Sequence, residues 1–247
     1  GSNAGWETHV SSSNFASVSF RDSSNTNVNL GSSPQTVNDG NWHHISATYN
    51  LGDVYMYLDG EEVDSDTSTL GALNMNSNAA RFTIGCQVRT SGGACDNGDG
   101  QYFEGEIDEV LIYNKSLSSS EVTKLYKAGL SQHADTNVTL ETRVADSYNV
   151  SDSGLVGLWG LNSDSGDVAV DETGNNDGTW TNAFSNASSG VVGSGGYFDG
   201  TGDYLDIPDN DSLDLGSAGT VSVWVKMDDI STDAQAVLIK SSSASSS

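Results

Sequence analysis

Three carboxylates fall within four positions at Glu106-Ile107-Asp108-Glu109. A retaining glycoside hydrolase needs a nucleophile and an acid/base about 5 Å apart. On one face of a strand such a pair sits at i and i+4 around a carboxylate at i+2, or at i and i+5 across a bulge. Glu106 and Asp108 fill the first two places, but the third is Val110 or Leu111, so the pair is incomplete and the stretch predicts no hydrolase. Nucleophilic catalysis fares no better. His43 and His44 follow Trp42 in an alternating run, which points their side chains to opposite faces of a strand. No Gly-x-Ser-x-Gly elbow accompanies them. The two cysteines, Cys86 and Cys95, enclose a polar, glycine-containing octapeptide with no further cysteine or histidine for zinc. A loop-stapling disulfide is expected, hence an oxidising compartment; two buried thiols are the alternative.

The same acidity runs through the whole chain. Asp and Glu number 34 against 9 Lys and Arg, a formal net charge of −25. Phosphate binding needs clustered cations, so nucleic acid is excluded as a partner, and an anionic membrane surface is disfavoured for the same reason. No apolar run nears the roughly 20 residues that span a bilayer, so no membrane insertion is expected. Oxygen-rich, acidic turns suit a hard cation, which makes calcium the expected cofactor, although no EF-hand or aspartate-rich nonapeptide loop is present.

The elements that must position these groups are strands. Alternation at Ala16–Phe20, His44–Tyr49, Val54–Leu58, Arg81–Gly85, Glu109–Tyr113, Leu155–Trp159, Gly196–Phe198, Tyr204–Ile207, Thr220–Val225 and Ala236–Ile239 predicts an all-β sandwich or jelly roll. Asp59-Gly60 supplies a hairpin turn. One short helix is expected near 118–128: Ser118 to Glu121 reads as a capping box, and Gly129 as the residue that stops it. Residues 1–4 read as an expression tag, 131–152 as a linker or added strand, and Ser241 to Ser247 as low-complexity tail.

In order, Asn38 to Tyr49, Tyr57 to Glu61, Phe82 to Gly85, Phe103 to Asn114 and Leu117 to Glu121 resemble the second half of a LamG-like domain. This is the laminin G and pentraxin type of the concanavalin A-like lectin/glucanase superfamily. Leu158 to Leu161, Asp171 to Thr179, Tyr197 to Leu205 and Thr220 to Lys226 resemble the first half. The order is therefore exchanged: second half at 5–130, first half at 153–247. Reading from Val237–Lys240 into Gly5–Thr8 restores it. Either a tandem array has been cut through two copies, or the domain is circularly permuted. Both give one complete sandwich of two antiparallel sheets, closed within the chain or by swapping in a homodimer.

The resemblance implies a non-catalytic extracellular module of a bacterial surface protein, for carbohydrate binding or cell adhesion, with a glycan or cell-surface glycoconjugate as partner. A ligand-free structural spacer is the alternative, and a degenerate glycoside hydrolase the third. The resemblance also implies a structural calcium at Asp108, Asn162 and Gly200, with Asp171 and Asp199 as additional ligands. The alternative expectation is that Asp108 and Asp171 satisfy turn amides, as Asx residues commonly do. The pentraxin ligand-calcium acids are missing after Gly85, where Gln87, Val88 and Arg89 stand; Gln101 keeps a matching type. Asp96, Asn97 and Asp99 offer a different site on the disulfide loop, or simply a solvated turn. Trp42, Trp159 and Trp224 are expected in the core, leaving Trp6, Tyr102, Trp180 and Arg89 for ligand contact.

Overall fold

The computed structural model describes residues 5–67, 70–73, 75, 81–87, 95, 101–133, 153–162, 167–182, 184–228 and 234–241. Arg89, Asp96, Asn97, Asp99, the tag at 1–4 and most of the expected linker lie outside the described residues.

Two antiparallel sheets form the body of the molecule. Numbered along the chain, the first runs β10 (Val168–Ala169), β11 (Gly178–Thr181), β14 (Tyr204–Ile207), β7 (Arg81–Ile84), β16 (Gln235–Ser241), β1 (Gly5–Val10), β2 (Phe15–Arg21), β3 (Asn27–Thr36). The second runs β12 (Phe184–Ser189), β13 (Ser194–Asp199), β8 (Glu104–Tyr113), β15 (Ala218–Met227), β4 (His43–Asn50), β5 (Asp53–Leu58), β6 (Glu61–Thr67), with β9 (Leu155–Trp159) also paired to β8. Period-two alternation turns one face of each sheet inward. Phe20, Ile45, Met56, Phe82, Ile107, Trp159, Phe198 and Val223 meet there in one buried cluster, the filling of a jelly-roll sandwich. Asp59 and Gly60 take positive φ values of 53° and 78°, the geometry a two-residue hairpin turn needs.

The outer face of the second sheet is covered as well. Helix α1 (Ser119–His133) lays Val122 and Leu125 over Leu111, Tyr113 and Trp224. Ser118 caps it as expected: its N–H donates to Glu121 Oε2 at 2.8 Å. The helix does not stop at Gly129 but continues to His133, taking in the first residues of the expected linker. The reason is packing. A Cβ on Gly129 would lie 2.6 Å from Trp224 Cζ2, so the glycine lets the helix backbone rest on the indole. Covered on both sides, β8 is buried along almost its whole length.

The strands of residues 5–113 and of 155–241 interleave. β7 lies between β14 and β16, β8 between β13 and β15, β16 between β7 and β1, and β15 between β8 and β4. β16 pairs antiparallel with β1, and Ser241 stands opposite Gly5. β3 and β6 were not visible as alternating runs. β6 carries Glu61, Glu62, Asp64 and Asp66 on a sheet edge, where charge rather than burial is the rule.

Candidate functional site

Where β8 meets β15, Asp108 pairs with Trp224 but Leu111 pairs with Ser222, so Glu109 and Val110 face the single residue Val223. This is a β-bulge, and Glu109 takes a left-handed φ of 48° in it. The bulge shifts side-chain parity. Ile107 and Val110 both enter the core, and Asp108 and Glu109 are sent out together on the covered face.

Asp108 is fully buried. Its Oδ1 accepts from Glu109 N–H at 2.8 Å and its Oδ2 from Val192 N–H at 2.9 Å. Burial pushes its carboxyl up to about 8, although the amides of Val192, Glu109 and Val191 favour the ionised form. Asn162 reaches the same 190–194 turn, its Oδ1 accepting from Ser194 N–H at 2.8 Å. Gly190 is required for this seal: a Cβ there would lie 2.4 Å from Asp108 Oδ2. Glu109 is 3 % exposed, and its Oε2 is buried without a hydrogen-bond partner. Burial first, then the carboxylates of Asp108 and Glu172, push its carboxyl well above the usual range. Glu109 and Glu172 went unnoticed as a pair in the sequence, although apolar core positions three apart, at Ile107 and Val110, already mark a parity slip.

The other expected metal ligands do not join this group. Asp171 is buried at the head of a turn; its Oδ1 accepts from the N–H groups of Leu158 and Thr173, and its Oδ2 from Thr173 Oγ1, Asn175 N, Asn176 N and Asn176 Nδ2. Asp199 accepts from Thr201 N–H at 2.7 Å, and Gly200 donates to Phe103 O at 3.1 Å. Both sit at the far end of β13 from the turn at Ser194, about 16 Å along the strand at ~3.3 Å per residue. No three His, Cys, Asp or Glu side chains converge as a metal site among the described residues.

Two of the aromatic candidates are corrected by burial. Trp6 is 2 % exposed because β1 is an interior strand, and its ring lies 5.3 Å from that of Phe82. Trp180 is 6 % exposed and packs on Phe198, the inward position between Thr179 and Thr181. Trp159 and Trp224 are core residues, as expected, whereas Trp42, expected with them, is only half-buried. Cys86 and Cys95 form the disulfide. Beside it Gln101 accepts through its backbone from Gln87 N–H at 3.2 Å, and half-buried Tyr102 donates its hydroxyl to Cys95 O at 3.4 Å.

A different aromatic surface appears on the outer face of the second sheet. Tyr197 on β13 is exposed and stands opposite Glu106 on β8, which stands opposite Lys226 on β15. Lys226 Nζ reaches Glu106 Oε2 at 3.1 Å. Two residues along β13 from Tyr197, the bare face of Gly195 lies against half-buried Trp42, whose Cη2 is 3.6 Å from the position of a Cβ. Along the acidic strand, Asp108 and Glu109 are buried and Glu106 is held by Lys226.

At the rim, His43 bridges Asp59 Oδ2 at 2.9 Å and Asp39 Oδ1 at 3.1 Å. Desolvation lowers its basicity, but the two carboxylates outweigh it and the net shift is upward. The stabilisation is therefore complete below the unfolded value near 6.5 and is lost as pH rises through the raised folded value. Because the partners are partly solvated, the step is about 1 kcal/mol at most. Urea midpoints at pH 5.5 and 8.5 should differ more in the native protein than in His43→Gln; equal differences would remove His43 from the pH response.

Two antiparallel sheets, an aliphatic and aromatic filling between them, and a helix over one outer face define a jelly-roll β-sandwich. Residues 1–123 match a laminin G-type family model described as the Concanavalin A-like lectin/glucanases superfamily. Through that match residues 1–123 belong to this superfamily. No curated protein and no solved structure matches the chain.

Proposed function

We propose that this domain is a non-catalytic extracellular module that binds a glycan through the outer face of its second sheet, as an adhesion element of a larger surface protein. The observation that carries the reading is the row Tyr197–Glu106–Lys226 with Trp42 beside it. An exposed aromatic ring next to charged hydrogen-bonding groups suits a sugar, which is apolar on its ring face and polar at its edge. The net charge of −25 argues against a polyanionic ligand such as nucleic acid. A disulfide in the chain agrees with an oxidising, extracellular setting. Calcium serves as a stabiliser rather than as part of the glycan contact.

A glycan array with and without EDTA tests this. Binding to at least one glycan class should fall at least tenfold in Tyr197→Ala and in Trp42→Ala. Tyr197 is exposed, so its loss leaves the core intact. No binding to any sugar would leave the spacer reading.

A further inference from the structure

We propose that Glu109 and Glu172 hold a divalent cation of the calcium class in a cradle beside Gly160, a site distinct from the Asp108–Gly200 set. Gly160 follows β9, whose pairing with β8 at Trp159 and Val110 brings it beside the bulge. A Cβ placed on Gly160 would lie 2.8 Å from Asn162 Nδ2, 2.9 Å from Glu172 Oε1 and 3.3 Å from Glu109 Oε1. Two carboxylates from distant parts of the chain therefore face one small space that no side chain enters from Gly160. The buried Oε2 of Glu109 has no hydrogen-bond partner, an uncommon condition for a carboxylate oxygen that is fully desolvated. Burial and the neighbouring carboxylates of Asp108 and Glu172 all disfavour the charged form of Glu109, a penalty that a bound cation would offset.

The three acids divide the work by their donors. Asp108 has committed both oxygens to backbone amides and serves to position the bulge. Glu109 keeps an uncommitted oxygen inside, and Glu172 stands exposed on its turn at the rim. An exposed outer ligand gives the ion an entry route and lets water complete its shell. Calcium accepts six to eight oxygens in irregular arrangements, with carboxylates binding through one oxygen or two, and carbonyls and waters make up the remainder. Magnesium demands a near-octahedral shell and suits this two-acid rim less well.

This inference deepens the calcium part of the proposed function and does not depend on the glycan part. The test uses chelator-treated protein titrated with calcium chloride by calorimetry, and with terbium chloride by luminescence excited through tryptophan; Trp159 precedes Gly160 in the chain. One ion per chain and a rise in thermal midpoint are expected. Glu109→Gln and Glu172→Gln should each weaken binding at least tenfold, while Asp199→Asn should stay within twofold of the native protein. Glu172 is exposed, so its variant keeps the fold and its loss of binding reports ligation. No ion bound by the native protein, or native affinity in both glutamine variants, overturns the proposal. Neither result bears on glycan binding measured in EDTA.

Discussion

Asp171→Ala should lower the unfolding free energy by about 3–5 kcal/mol, enough to consume a third or more of the stability of a typical domain. The carboxylate is 1 % exposed and gathers the turn that follows β10 onto the end of β9. Alanine removes the acceptor for Leu158 N–H at 2.9 Å and for Asn176 N–H at 3.0 Å, both on buried residues. Each stranded donor costs about 1–3 kcal/mol because water cannot replace the lost partner. Asn176 also ties the turn outward, its Nδ2 donating to Val156 O at 2.9 Å while Trp159 Nε1 donates to the Asn176 carbonyl at 3.1 Å. Asp171→Asn keeps one acceptor oxygen and should cost roughly half as much. Urea unfolding followed by tryptophan fluorescence measures both. The loss in Asp171→Ala should already be present in full in EDTA, since both oxygens serve protein donors; a loss seen only with calcium would return Asp171 to the metal ligands.

Residues of one kind made the fold legible and residues of another kind hid the site. Runs such as His44–Tyr49 and Thr220–Val225 alternate because one face of each strand enters the core, and that pattern survives in a sequence. Trp6 misled for the opposite reason: at a chain end it has no flanking pattern to reveal that β1 is interior, between β16 and β2. Gly129 is a helix terminator by local propensity, and only the approach of Trp224 shows why it is tolerated inside α1. Plain alternation puts Glu106 and Asp108 on one face and Glu109 on the other. The bulge, whose position the sequence leaves open, brings Glu109 to the face of Asp108, because Val223 faces two residues of β8 at once. Glu172 could not be added from sequence at all. It is brought to Glu109 only by the β8–β9 pairing and the Asp171 turn, both contacts between distant segments.

Separate expression of residues 5–133 and 153–241 should give two unfolded chains that fold only when mixed. In the first segment β7 and β8 would lose every neighbour they have in the sheets, since β14, β16, β13, β15 and β9 all belong to the second. In the second, β15 and β16 would stand without a partner strand, their backbone groups unpaired. The core divides in the same way: Phe82 packs its ring 5.3 Å from Trp6 of its own segment and 5.3 Å from Trp159 of the other. Neither segment can bury its aromatic side chains alone, so neither can offset the entropy of ordering its backbone. Mixed, they should form a one-to-one complex with native circular dichroism and a single cooperative transition. A cooperative transition in either segment alone would contradict the interleaved pairing. The same pairing predicts that the ends are interchangeable. Ser241 faces Gly5 across the β16–β1 ladder, so a two-residue turn can join them. A chain that starts at Ser153, runs to Ser241, crosses such a turn to Gly5 and ends at His133 should keep the thermal midpoint within a few degrees, because every strand keeps both of its neighbours.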